Sequence, residues 1–336
     1  MLNIRKKLSH SRLVRLSIWS MTALGAVVLM GVLLSTGIYN FLARDIEDTP
    51  TPFPVSVYPK EKRIAENQDV SFFLETHPSV ADVRSSSTHV LHKLFAELVQ
   101  HDWYQNLASP LGRILVIFPG ERKEEIAENF GRILKWNANE KQSFLAAVAA
   151  SGGLSEGTFS PGTYTVPLDA TPEYVSTVVS EQFTHDVLTR YTPEVSRIVP
   201  LADTLTIASL IQREAYDFED MRAISGVIWN RLFIEMNLQI DATLQYARGS
   251  NPKEPEWWPL PSPQDKYIDS TFNTYKHAGL PPTPISNPSV AAILAALNPV
   301  ATDCIFYFHD KQKGFHCSAT YDEHVDGLIE YYGSGR

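Results

Sequence analysis

Between Leu205 and Tyr246 the chain reads LTIASLIQREAYDFEDMRAISGVIWNRLFIEMNLQIDATLQY, an apolar helical pattern that carries an acid, Glu214, on its apolar side. Wound at about 100° per residue, Ile207, Leu210, Ile211, Glu214, Phe218 and Met221 share one face. That face has to be buried, and it takes the carboxylate with it. A carboxylate there must be paired or held neutral. Arg222 and Arg231 follow closely enough to serve as structural partners. If neither pairs with it, burial keeps the proton on Glu214 well above the ordinary value of about 4.3, which makes it a proton donor near neutral pH.

The 336 residues, 44% of them hydrophobic, suffice for a membrane anchor and one large or two modest domains. A formal net charge of -9, with no basic stripe in the body of the chain, argues against a nucleic-acid partner. Basic residues do cluster at the start, where Arg5, Lys6, Lys7, Arg12 and Arg15 precede a run from Leu16 to Ala43 that is free of charge. As a helix, residues 17–39 span about 34 Å, enough for a hydrocarbon core of about 30 Å. Asp45, Glu47 and Asp48 follow the run. The positive-inside rule then makes residues 1–16 a cytoplasmic tail and sets the residues beyond about 44 outside, on a single-pass membrane protein. A cleaved signal peptide is the competing reading; against it, the apolar run is longer than a usual h-region and no clear small-x-small site follows.

Residues 40–59, rich in proline and acid, read as an extended linker. Residues 60–110 carry no assignment beyond a helix near His89 to Tyr104. From 111 to 168 the pattern is strand, helix, helix, strand. ILVIF ends at Pro119 and Gly120, an amphipathic helix lies within Glu121 to Leu134, Asn137 and Glu140 form a capping signature, and TYTVP closes the module. Residues 169–336 form a second, mixed domain, so the fold class is α+β. It holds a helix over Pro172 to Tyr191, the opening segment and an alanine-rich helix from Ser289 to Leu297. A proline-rich insertion after Tyr246 carries Trp257 and Trp258, which either pin the loop to the core or form a rim that stacks on sugar rings. In CIFYFHDKQKGFHC, aromatic runs around a turn suggest a β-hairpin with Cys304 and Cys317 roughly opposite each other. A disulfide and two buried thiols both fit.

Glu214, WNRL with Asn230, LQIDATLQY, FNTY, GLPP with Pro284 and Ile285, FYF, GFH and the Glu323–His324 pair form an ordered set from about Asp203 to Gly327. This set resembles the endolytic murein transglycosylases, the YceG-like (MltG) family. EGTFSPGTY at Glu156 to Tyr164 resembles a further family segment, with Gly162 in place of an acid. The resemblance implies a LysM-like module over 111–168, a lytic transglycosylase domain after it, and Glu214 as the catalytic acid and base. The substrate would be the peptidoglycan glycan strand, cleaved between N-acetylmuramic acid and N-acetylglucosamine to leave 1,6-anhydro ends. Penicillin-binding synthases are implied partners, and no cofactor is.

Departures from the family pattern are Gln212 in place of the first acid of a triplet, Met221 in place of an arginine and Ala242 in place of a proline. Asn230, Gln239, Asp241, Gln245, Asn273 and Tyr275 are candidates to contact substrate, and His316 and His324 join them through the resemblance. Asn230 equally fits a buried structural amide. Asp241 equally fits an N-cap for the helix after it. His309, His316, His324 and the cysteines fit no zinc spacing, so no metal site is expected. Two rivals stand beside the transglycosylase: a hydrolytic muramidase on the same fold, and a peptidoglycan-binding scaffold without activity.

Overall fold

The computed structural model of the chain describes residues 51–65, 68–76, 105, 112–152, 156–254 and 256–333. The tail at 1–16, the membrane-spanning helix at 17–39 and the helix near His89 lie outside the described residues. Among the described residues no helix is long and apolar enough to cross a membrane. The architecture is mixed α+β, as the sequence pattern indicates.

The first described segment corrects one expectation. Residues 51–59 are not an extended linker. Phe53, Val55 and Val57 alternate into the main core, and their strand is tied by Phe53 N–H to the Arg190 carbonyl and by Ser56 N–H to the Leu297 carbonyl, each at 3.0 Å. β1 (Val57–Tyr58) then turns back through β2 (Arg63–Ile64), and Phe73 of α1 (Gln68–Thr76) meets Phe53 at 5.9 Å between ring centroids. The period-2 pattern of half-buried strand residues prevails here over the prolines between them.

β3 (Gly112–Ile117) and β4 (Gly162–Pro167) pair antiparallel along six residues, with α2 (Lys123–Leu134) and α3 (Ala138–Gly152) between them in sequence. Leu115, Ile117, Ile126, Phe130, Phe144, Tyr164 and Val166 make a core of their own. Each such side chain contributes about 1.5–3 kcal/mol when buried. Asn137 Oδ1 accepts from the N–H groups of Asn139 and Glu140, and the Glu140 carboxylate accepts from Asn137 N–H at 2.7 Å, the reciprocal cap expected of that pair.

After α4 (Pro172–Phe183), one π-helical turn and α5 (Pro193–Ile198), the remaining elements enclose a second core. α6 (Leu201–Glu214) and α7 (Phe218–Phe233) pack against α9 (Val290–Leu297), and α8 (Asp241–Gly249) lies beside α6. Every residue of α9 from Ala291 to Leu297 is buried; its alanines let neighbours approach closely, and Trp229 Nε1–H reaches the Ala296 carbonyl at 2.9 Å. β5 (Phe306–His309) and β6 (Phe315–Ser318) form the expected hairpin, covered on one side by α10 (Tyr321–Tyr332). Cys304 and Cys317 are joined by a disulfide with Cα atoms 5.7 Å apart.

One asparagine welds the two cores together. Asn287 Oδ1 accepts from Gly157 and Phe159 N–H at 2.9 and 3.0 Å, and its Nδ2 donates to the Glu121 carbonyl and the Glu156 carboxylate. Gly157 sits at φ +87°, and a Cβ there would meet Pro284 at 2.8 Å, so the turn and the contact both require glycine.

Candidate active site

The opening segment is two helices, not one. α6 ends at Glu214, and Asp217 starts α7 by accepting from Asp220 N–H at 2.9 Å. Phe218 and Met221 are buried from the second helix, so Glu214 is the terminal residue of an apolar stripe rather than its middle. The break between the helices leaves Glu214 half-buried, in a recess walled by the start of α8 and by the β5–β6 hairpin.

Four elements meet at that carboxylate. Tyr307 of β5 donates its hydroxyl to Glu214 Oε2 at 3.1 Å, Ala242 N–H at the start of α8 donates to the same group, and the charges of Asp241 and His309 act on it. Burial raises the Glu214 pKa above the usual carboxylate range. The Tyr307 hydrogen bond opposes that shift, Asp241 adds to it, and the Ala242 N–H and His309 oppose it. Among the described residues no cation lies within ion-pair distance of Glu214. Arg222 donates to the Asn298 carbonyl and pairs with Glu219; Arg231 donates to the carbonyls of Ile305 and Leu238. The structural-pair reading of Glu214 therefore lacks its partner. Burial together with Glu214 holds the Tyr307 hydroxyl well above its ordinary pKa, so it remains a donor.

Asp241 is the first residue of α8 and makes no cap bond; Ile240 is the N-cap. Its Oδ1 accepts from the Tyr275 hydroxyl at 2.6 Å, on the exposed side of the recess. Pairing of the 237–241 segment with 273–275 sets this wall. Gln239 N–H donates to the Thr274 carbonyl, Ile240 N–H to Thr274 Oγ1, and Asn237 Nδ2 to the Tyr275 carbonyl. Gln239 is exposed at φ +51°, beside Asp241. Glu214, Gln239, Asp241 and Tyr275 are thus brought together.

Three of the candidate amides are engaged by the protein's own backbone. Asn230 Nδ2 donates to the carbonyls of Thr302 and Cys304, Gln245 Nε2 to Pro259, and Asn273 Nδ2 to Lys266 and Ile268 while its Oδ1 accepts from Tyr275 N–H. Asn230 and Gln245 each tie a loop to the helix that carries them, and Asn273 closes its own turn. His316 and His324 lie elsewhere. His316 pairs with Phe308 across the hairpin, stacks on that ring and bonds Asp310 at 2.8 Å, while His324 stacks on Phe306. Phe306 and Phe308 alternate with Tyr307 and His309, so both histidines occupy the hairpin face opposite Glu214.

The sequence assigns no site role to Tyr307, His309 or Asp220. His309 Nε2 bonds both Asp220 oxygens at 3.0 and 2.9 Å, and Asp220 Oδ2 also accepts from Tyr216 N–H at 2.8 Å. The signal was there, since the alternation in FYFH puts Tyr307 and His309 on one face. Gln212, where the resemblance expects an acid, accepts both the backbone N–H and the hydroxyl of Ser289, the cap of α9. It braces the helix instead of facing Glu214. Trp258 lies under Arg213 at 3.8 Å and the Arg122 guanidinium lies over Tyr246 at 4.1 Å, so the tryptophan loop is pinned to the body. No group of three or more histidine, cysteine or acidic residues among the described residues could hold a metal ion.

The YceG-like family profile matches residues 82–328, which take in the strand–helix–helix–strand module and every element around Glu214. The chain belongs to the YceG-like family. It is 30% identical over 183 residues to the endolytic murein transglycosylase of Streptococcus pneumoniae serotype 2, covering 53% of this chain and 32% of that protein. It is 31% identical over 182 residues to the endolytic murein transglycosylase of Bacillus subtilis strain 168, covering 53% of this chain and 48% of that one. The chain therefore spans less than half the length of these YceG-like relatives. The crystal structure of a putative yceG-like protein from Listeria monocytogenes superimposes with a TM-score of 0.56 at 28% identity, over 63% of this chain and 75% of that one.

Proposed function

We propose that this chain is an endolytic peptidoglycan lytic transglycosylase, held to the inner membrane by residues 17–39 with its catalytic body outside the cytoplasm, and that residues 111–168 are a LysM-like module that engages the same glycan. One observation carries the reading. Glu214 is a carboxylate that burial holds toward its protonated form, with a neutral tyrosine donor, a backbone donor and no cation within ion-pair distance among the described residues.

Such a group works in two steps. Its proton goes to the glycosidic oxygen between N-acetylmuramic acid and N-acetylglucosamine as the bond to the anomeric carbon breaks. The carboxylate left behind, met by Tyr307 and Ala242 N–H, takes the proton of the muramic C6 hydroxyl as that oxygen closes on the anomeric carbon. The product end is 1,6-anhydro. Tyr275 and Gln239 lie on the open wall where sugar hydroxyls and acetamides would arrive. Penicillin-binding synthases, which make nascent strands beside the membrane, are the proposed neighbours in the cell.

One observation favours a hydrolytic variant. Asp241 lies near enough to act on the Glu214 charge, and two carboxylates flanking a glycosidic bond are the equipment of a hydrolase that uses water. Full-length protein in detergent, incubated with purified glycan strands, separates the two by the mass of the new ends. Anhydro ends that vanish in Glu214→Gln support the transglycosylase. Reducing ends assign the muramidase, and no new ends from either protein leave a binding scaffold.

A further inference from the structure

Asp220 and His309 come from sequence positions that share no motif, yet they meet beside Glu214 in an arrangement the two-step chemistry above does not use. Asp220 is buried in the first turn of α7. Its oxygens are occupied by His309 Nε2 and Tyr216 N–H, and its own N–H is fixed by Asp217. The carboxylate therefore has one orientation, and so does the imidazole. The His309 ring is held further by the edge of Tyr216 at 4.9 Å and by Tyr307 and Phe315 on its own hairpin face at 6.2 and 5.8 Å. The strand cannot slip beneath it, because the Tyr332 hydroxyl donates to the His309 carbonyl. A buried acid and a histidine locked by hydrogen bonds on two elements are costly to assemble for packing alone, since an apolar pair of the same shape is often at least as stable.

We infer that Asp220 and His309 form a positioning pair that governs the charge state of Glu214, His309 fixing the local potential and Asp220 fixing His309. The inference rests on the assignment of Glu214 as acid and base. Facing His309 are Asp220 from α7, Glu214 from α6, Tyr216 from the α6–α7 turn, Tyr307 on its own strand and Lys313, which lies over the Tyr216 ring at 4.9 Å. Facing Glu214 are Tyr307, His309, Asp241 and the Ala242 N–H, with Arg213 and Tyr275 at longer range. His309 is the facing side chain whose charge favours the Glu214 carboxylate from within the recess, so it offsets burial. It stabilises that carboxylate after its proton has left for the leaving group.

The sign of the effect follows. Without His309 the proton stays on Glu214 to higher pH, and the conjugate carboxylate is less stable. Full-length wild type, His309→Gln, Asp220→Asn and the double variant would be assayed on glycan strands across pH, with Glu214→Gln alongside. In both single variants the alkaline limb of kcat/KM is expected to move upward, by roughly half a unit to one unit, and kcat to fall about tenfold with KM little changed, an effect on the chemical step rather than on binding. Because the two act as one unit, the double variant should be no worse than the more affected single one. A limb that stays in place in both single variants, with a lowered melting temperature, would reduce the pair to a structural contact. If His309→Gln does not fold, Asp220→Asn decides alone by the same limb. Activity retained in Glu214→Gln would overturn the catalytic assignment itself; activity lost there with an unmoved limb overturns only the positioning pair.

Discussion

Glu214 owes its position to the residue after next but one. Because Asp217 caps a new helix, α6 stops at the carboxylate, and the recess receives a group that a continuous helix would have packed away. What surrounds it is balanced: burial and Asp241 favour the proton, while Tyr307, Ala242 N–H and His309 favour its loss. Removing the Tyr307 hydroxyl tests that balance. In Tyr307→Phe the Glu214 pKa rises, so the alkaline limb of the rate profile moves to higher pH. The lost hydrogen bond to a charged group, about 1.5 kcal/mol, lowers kcat roughly tenfold. Steady-state rates across pH read both effects. The same environment limits what Gln212 can do. Its side chain is fixed by Ser289, so Gln212→Glu would place a charge at the cap of α9 rather than beside Glu214. The carboxylates that do approach Glu214 come from other elements, Asp241 from α8 and Asp220 through His309.

At the scale of elements, the hairpin is the piece whose placement matters most, since one face carries Tyr307 and His309 toward Glu214 and the other is stacked on α10. The disulfide closes a sequence separation of 13 residues at the base of this hairpin. In the chain-entropy account a loop of that size contributes about 3 kcal/mol. Cys304→Ser with Cys317→Ser is expected to lose stability of about that size in denaturant unfolding, and to lower activity by loosening Tyr307. Much of this level was legible in the sequence. Periodicity and caps give α2, α3, α9 and the β5–β6 hairpin, because each depends on neighbours a few residues away. The break after Glu214 was not read, although Asp217 and Asp220 carry the cap signal, because the apolar period runs on through Phe218 and Met221. Asn230, Gln245 and Asn273 are not legible for another reason. Their partners are backbone carbonyls that only the folded chain brings near, so an amide for structure and an amide for substrate look alike in sequence. The alternation of Phe53, Val55 and Val57 was visible but lay among prolines.

For the whole molecule, the junction between the two cores is as telling as the recess. Glu156 and Glu121 are buried there among the Asn287 hydrogen bonds, and burial pushes both carboxyls up to about 8. The folded protein therefore binds more protons than the unfolded chain between the ordinary value of 4.5 and about 8. Their contribution to stability is complete below the unfolded value and is lost as pH rises through the folded one. Unfolding free energy should fall from about pH 5 to about pH 8, and Glu156→Gln should flatten that slope. Gly157→Ala should loosen the same junction, since the side chain meets Pro284 at a positive φ; a loss of roughly 1–3 kcal/mol in thermal or denaturant unfolding is expected. Such a junction holds the module and the recess in one compact unit, as the proposal that both engage a single glycan strand requires. Glu214 is proposed to break that strand without water. Mass analysis of glycan ends made by full-length wild type and by Glu214→Gln addresses it directly: 1,6-anhydro-muramic ends from the first and none from the second are the expected result, whereas reducing muramic ends, or the same ends from both proteins, would contradict it.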